Sequence, residues 1–251
     1  MKIFVSDYDG TLNRGGGVTP RDLAALAAWK AAGNLFGVAT GRDFKSFANV
    51  WGKTLLTPDF VVGGNGTQIY NGVGNRLLEF PGDGSLIPAV AELILAHDGR
   101  IVHFTSGAQR YIVALDGKFP EQTKDIYVLR DAIPELPKVH SINTYFHGED
   151  LCRAFCEDCN ERFAGKFTAL QNCDCGDVVP FGTGKKEGIA AYIEYAGLAP
   201  EEIVTAGDSG NDLDMLRAYE GYTVESASDW VKAAMGDRVR PDLAAMIEEH
   251  L

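Results

Sequence analysis

The chain opens on an apolar run, Ile3-Phe4-Val5, bounded by polar residues and followed by Gly10, which reads as a short buried strand. Apolar positions at helical spacing come next. Thr19 stands as an N-cap and Pro20 as the first helical residue, and Leu23, Leu26, Ala27 and Trp29 carry the helix towards Gly33. Leu35 to Ala39 is a second strand, ending in Thr40-Gly41-Arg42. A helix with Phe44, Phe47, Val50 and Trp51 on its inner side leads to a third strand, Phe60 to Val62, and to the loop Gly63-Gly64-Asn65-Gly66-Thr67. This alternation predicts a doubly wound parallel sheet with helices on both faces. Right-handed crossovers then gather the strand ends at one edge.

The rhythm changes near Phe80-Pro81-Gly82-Asp83-Gly84. A helix over Leu86 to His97 precedes two strands, Ile101 to Thr105 and Arg110 to Leu115, joined as a hairpin around Ser106-Gly107-Ala108-Gln109. A poorly patterned stretch with Pro120, Pro134 and Pro137 follows. A strand over Val139 to His147, a helix over Glu149 to Phe163 and a strand over Lys166 to Cys173 complete the segment. Its order differs from the opening pattern and predicts an inserted α+β domain over 82–178, between core segments 1–81 and 179–251. The first pattern then returns. Gly182-Thr183-Gly184 leads into a helix from Lys185 to Gly197, and the strand Glu202 to Ala206 ends in Gly207-Asp208-Ser209-Gly210-Asn211-Asp212. A helix with Leu213, Met215 and Leu216, a strand over Tyr222 to Val224, a helix capped by Ser228 and an amphipathic tail over 241–251 close the chain.

Charge and composition narrow the partners. A net charge of −12 over 251 residues argues against nucleic-acid and anionic-membrane surfaces, which need clustered Lys and Arg. No apolar run approaches membrane-spanning length, and the chain enters its first strand directly, so a cytoplasmic location is expected. The five cysteines offer a tempting metal pattern. However, Cys152, Cys156, Cys159 and Phe163 recur as the buried stripe of one helix, with Cys173 and Cys175 alternating on one face of a following strand. They read as reduced core residues.

The chemistry collects at strand ends. Asp7 and Asp9 stand where the first strand runs out, Thr40 closes the second, and Asp208, Asn211 and Asp212 follow a later one. Open parallel sheets bind ligands at such carboxyl ends, near a topological switch point. Converging carboxylates call for a hard cation, and few oxygen ligands with room for water and phosphate suit Mg2+. Lys185 or Lys186, at a helix start, supplies an anion site. A metal, an anion site and a carboxylate together point to phosphoryl transfer onto Asp.

Asp7-x-Asp9-Gly10-Thr11-Leu12, Thr40-Gly41-Arg42, Lys185 and Gly207-Asp208-x-x-Asn211-Asp212 resemble, in order and spacing, the four motifs of the haloacid dehalogenase superfamily. The insertion between the second and third motifs resembles the large α/β cap of its Cof-type phosphatases, on a Rossmann-like core. The resemblance implies Asp7 as nucleophile and Asp9 as general acid and then base. It implies Asp7, the Asp9 main-chain carbonyl and Asp208 as Mg2+ ligands, with Thr40 and Lys185 on the phosphoryl oxygens. Asn211 and Asp212 would orient phosphate, lysine or metal waters, with Gly41 and Arg42 at the phosphate side and Asn65-Gly66 in a loop beside the site. One stretch departs from the family pattern: Val224-Glu225-Ser226-Ala227 stands where Met-Gly-Asn-Ala is usual. In the inserted domain, Arg110, Asn143, Tyr145 and His147 are candidates to overhang the site. The expected activity is Mg2+-dependent hydrolysis of a small phosphorylated metabolite, a sugar phosphate first. A sugar phosphomutase and a non-catalytic phospho-acceptor or sugar-phosphate-binding module are the alternatives.

Overall fold

The computed structural model describes residues 1–114 and 125–251. The Leu115 end of the expected hairpin and Pro120 lie outside the described residues. Two compact units are present, one of Met1–Glu79 with Gly184–Leu251 and one of Phe80–Thr183.

The first unit begins β1 (Ile3–Ser6), α1 (Pro20–Ala31), β2 (Leu35–Ala39), α2 (Phe44–Trp51), β3 (Phe60–Gly63), β4 (Gln68–Asn71) and β5 (Arg76–Glu79). The second unit contributes β6 (Gly82–Asp83), α3 (Ile87–Ala96), β7 (Val102–Ser106), β8 (Gln109–Val113) and β9 (Ile126–Val128). It continues with β10 (Lys138–Val139), β11 (Ser141–Tyr145), α4 (Glu149–Arg162), β12 (Phe167–Asn172) and β13 (Cys175–Pro180). The chain re-enters the first unit with α5 (Lys185–Tyr195), β14 (Ile203–Gly207), α6 (Leu213–Ala218) and β15 (Glu220–Val224). It ends with α7 (Asp229–Met235), β16 (Val239–Arg240) and α8 (Leu243–His250).

In the first unit eight strands form one sheet in the order β16-β15-β14-β1-β2-β3-β4-β5. Every pair from β16 to β3 is parallel. The chain moves outward from β1 through β2 to β3 and later returns to β14 on β1's other side, so the direction reverses between β1 and β14. β1 is buried along its whole length, which explains its unbroken apolar run. Local signals set the helix boundaries. Thr19 accepts a hydrogen bond from the Asp22 amide at the start of α1, and Asp43 does the same for Ser46 at the start of α2. Trp29, fully buried, donates its indole N–H to the Leu35 carbonyl at 2.8 Å and so ties α1 to the strand that follows.

β4 and β5 were not anticipated. They add two antiparallel strands to the parallel sheet, and each spans four residues between glycine turns, too few to show a period.

The second unit is wider than the expected 82–178 because β13 completes its own sheet, ordered β12-β13-β11-β7-β8-β9. Residues directly opposed on neighbouring strands share a face. The row Ala169, Val178, Ile142, Phe104 and Tyr111 is therefore one apolar face, packed with α3 and α4 into a single core. The adjacent row Leu170, Asp177, Asn143, His103 and Ile112 gives the opposite face a polar centre. Cys152, Cys156 and Cys159 line the buried side of α4. Cys173 departs from its expected strand face: it lies exposed in the turn between β12 and β13, at φ 53°. The strand expected over Val139 to His147 breaks at His140, with β10 pairing to β6 and β11 joining the larger sheet. His147 is exposed beyond it. No helix among the described residues is long and apolar enough to cross a membrane.

Candidate active site

The strand ends of the first unit bring together Asp7, Thr40, Asn65, Lys185, Asp208, Asn211 and Asp212, with Asp9 and Arg42 paired beside them. Asp7 follows β1 directly, and its amide donates to the Ala206 carbonyl of β14 at 2.8 Å, so β1 carries Asp7 to the point of chain reversal. After Asp7 the chain folds tightly. The Asn13 amide donates to the Tyr8 carbonyl at 2.7 Å and the Gly10 amide to the Asn13 carbonyl at 2.9 Å. Gly10 has φ 85°, and a Cβ there would sit 2.3 Å from an oxygen of Asp208. Only glycine meets both demands. The close approach lets Thr11 donate its hydroxyl to Asp208 Oδ1 at 2.5 Å.

β2 delivers Thr40, almost completely buried, whose Oγ1 accepts from the Arg42 amide at 3.1 Å across the bend at Gly41. The loop after β3 hooks onto the same bend, with the Asn65 amide donating to the Thr40 carbonyl at 3.0 Å. Gly66, at φ 94°, passes so close to α5 that a Cβ would lie 2.0 Å from the Gly184 carbonyl oxygen. That contact sets the start of α5, whose first residue is Lys185.

Lys185 Nζ donates to Asp7 Oδ1 at 2.6 Å and to Asp212 Oδ1 at 2.5 Å. Lys186 turns outward to Glu187 at 2.8 Å, which separates the two lysines the sequence left in competition. Asp212 is fully buried, and its second oxygen accepts the amides of Asp208 and Ser209, each at 3.0 Å. Its oxygens are therefore committed to holding Lys185 and the loop. Asn211 donates to Asn65 Oδ1 at 3.1 Å, while its own Oδ1 is buried without a hydrogen bond.

Asp9 stands apart. Its carboxylate is exposed and takes a two-pronged bond from Arg42, Nε to Oδ2 at 2.5 Å and Nη2 to Oδ1 at 2.8 Å. The acidic group that could hold a cation is Asp7, Asp208 and Asp212, with candidate ligand oxygens within 4.8 Å of one another. The Asp9 carboxylate is not part of it.

The electrostatics explain what this group lacks. Burial pushes the Asp7 carboxyl well above its ordinary value, with Asp212 and Asp208 adding and Lys185 opposing. Burial, then Asp212, pushes Asp208 up to about 6. Burial by itself would lower the Lys185 ammonium, but Asp212 and Asp7 outweigh it and hold it above its ordinary value. With all three carboxylates ionised, the one ammonium leaves two negative charges in excess, which favours protons on Asp7 and Asp208 and which a divalent cation balances. Oxygen donors in this number fit Mg2+. With Asp212 committed, Asp7 and Asp208 are the side chains that would hold it.

Thr11, which the first motif contains without a role, and Ser209 both bond to the Asp208 carboxylate, Ser209 at 3.3 Å. Thr11 lies 197 positions from its partner, and only the folded chain reveals the pairing.

Residues 4–237 match the haloacid dehalogenase-like hydrolase family. The HMP-PP phosphatase of Klebsiella pneumoniae (strain 342) is 26% identical over 262 residues, covering 93% of this chain and 88% of that protein. A haloacid dehalogenase-like hydrolase from B. subtilis shares the fold with a TM-score of 0.82 at 18% identity, over 100% of both chains. The HAD subclass IIB sugar phosphatase BT4131 does so with a TM-score of 0.77 at 19% identity, over 100% of this chain and 99% of that one. With the family model matched over most of its length, the chain belongs to the haloacid dehalogenase-like hydrolases.

Proposed function

We propose that the protein is a Mg2+-dependent phosphatase that hydrolyses a small phosphorylated metabolite through an aspartyl-phosphate on Asp7. The observation that carries this reading is the buried Asp7–Lys185–Asp212 cluster with Asp208 beside it, two negative charges in excess. Mg2+, when bound, offsets that charge and the charge of the phosphoryl group, so that one anion can approach another.

The chain's own residues then divide the work. An oxygen of Asp7 attacks phosphorus, the bond to the leaving oxygen breaks, and Asp9 gives that oxygen a proton. Asp9 next takes a proton from water, which attacks the same phosphorus and frees Asp7. Lys185 and the Thr40 hydroxyl hold phosphoryl oxygens, and Asp212 keeps Lys185 in place. Asn211 presents its open Oδ1 towards water or substrate donors, supported by Asn65. Arg42 holds Asp9 until an anionic substrate competes for the guanidinium, with Gly41 letting the bend close behind it. The unit of residues 80–183 acts as the cap, the core being residues 1–79 and 184–251, and the cytoplasm is the expected compartment.

Substrate identity follows two leads: a sugar phosphate, and HMP-PP, named for a relative that aligns with most of this chain. A release assay across phosphorylated metabolites, with and without Mg2+ and with Asp7→Asn as the blank, tests the reading. The expected result is inorganic phosphate released in step with substrate loss, dependent on Mg2+ and absent from Asp7→Asn. Release that is unchanged in Asp7→Asn would refute it.

A further inference from the structure

Arg14 sits one residue beyond the tight fold at Gly10 and reaches in two directions. Its Nη1 donates to the Thr11 carbonyl at 2.8 Å, and its Nη2 to Asp22 Oδ2 at 2.6 Å. Asp22, fully buried, is itself anchored three further ways. It accepts the Thr19 hydroxyl at 2.8 Å and the Ala244 amide of α8 at 3.0 Å, and its own amide donates to Thr19 Oγ1 at 3.1 Å. Asp22 is therefore a rigid post where α1 and α8 meet, and Arg14 is a forked strut from that post to the loop carrying Thr11. Thr11, fully buried, hands the constraint on by donating to Asp208 Oδ1.

We infer that Arg14 is a positioning residue for the cation, acting through Thr11 on Asp208; the inference rests on the reading of Asp208 as a metal ligand. The Thr11 hydroxyl fixed on Oδ1 presents Asp208 in one orientation, and Oδ2, which accepts the Ser209 hydroxyl at 3.3 Å, keeps a further lone pair for the metal. The groups that orient a ligand commonly govern metal affinity by about 10- to 100-fold. Arg14 does this from a distance and touches neither metal nor phosphate. Lysine cannot replace it fully, because one ammonium lacks the planar fork that serves Thr11 and Asp22 together.

The test is Mg2+ titration of substrate-free protein by calorimetry, paired with the Mg2+ half-saturation of aryl phosphate turnover. Thr11→Val is expected to weaken Mg2+ about 10-fold, and Arg14→Ala, one step further out, about fivefold, with the kcat of Arg14→Ala at saturating Mg2+ held within about twofold. Arg14→Lys recovers part of the loss and keeps a cation against buried Asp22, so it carries the comparison if Arg14→Ala folds poorly. The double variant Thr11→Val/Arg14→Ala binds Mg2+ no more weakly than Thr11→Val alone, because both changes act on one path. Arg14→Ala or Arg14→Lys titrating as wild type overturns the inference, as do losses that multiply in the double variant. Wild-type protein that takes up no Mg2+ overturns the metal reading and the inference with it, whereas wild-type uptake unchanged by Arg14→Ala overturns the inference alone.

Discussion

Replacing Lys185 with methionine removes the ammonium that bonds both Asp7 and Asp212 while keeping an unbranched side chain to fill the space. Asp7 is 5% exposed and Asp212 0%, so neither carboxylate can turn to solvent. Removing one partner of a buried ion pair costs about 3–5 kcal/mol, because the other charge is left uncompensated. In a protein of this size each kcal/mol moves Tm by about 2–4 °C. Lys185→Met in EDTA should therefore melt about 6–20 °C below wild type, followed by calorimetry or circular dichroism. Asp7→Asn should do the opposite. It takes one charge from a group already in excess, and burial works against that charge. Its Tm in EDTA should equal or exceed that of wild type, as happens when a site is arranged for chemistry at the expense of stability. Lys185→Met melting with wild type, or Asp7→Asn melting as low as Lys185→Met, would refute the charge balance drawn for the site.

Proton binding at Asp208 gives a second check. Its carboxyl is pushed from the ordinary 3.8 up to about 6, so in that window the folded metal-free protein binds more protons than the unfolded chain. The group's contribution to stability therefore falls as pH rises from about 4 to about 6. Mg2+ affinity runs the other way, weakening as pH drops below about 6 because proton and metal compete for Asp208. Titrations at pH 5 and 7.5 with equal half-saturation would count against Asp208 as a ligand. Gly66→Ala combines φ 94° with a 2.0 Å clash and should cost about 1–3 kcal/mol, measured by denaturant unfolding. It should also lower kcat through displacement of Lys185. Lys186→Ala should leave kcat within about twofold of wild type, since Lys186 turns to the surface and pairs there with Glu187.

Much of the first unit is legible in the sequence because its strands are buried on both faces. Ile3-Phe4-Val5 and Leu35 to Ala39 read as apolar runs for that reason, and each ends in the polar residues the site uses. β13 was harder to see, since Cys175-Gly176-Asp177-Val178-Val179-Pro180 carries glycine and proline and mixes both faces of a sheet. Cys173 at φ 53° occupies a turn position where glycine or asparagine is expected, so the hairpin it closes left no signal. At the site, the family motifs name Asp7, Thr40, Lys185 and Asp208. The sequence could not show what holds these groups in place. Arg42 bonds to Asp9, Asn211 to Asn65 and Thr11 to Asp208 across 33, 146 and 197 positions, and such pairings exist only once the sheet has formed.

The most direct measurement is rapid acid quench of wild-type protein turning over an aryl phosphate with Mg2+, followed by mass mapping of the peptides. One hydroxylamine-labile phosphoryl group is predicted on the peptide containing Asp7, absent from Asp7→Asn, which should not turn over. A phosphoryl group trapped on another residue, or Asp7→Asn turning over at the wild-type rate, would contradict it.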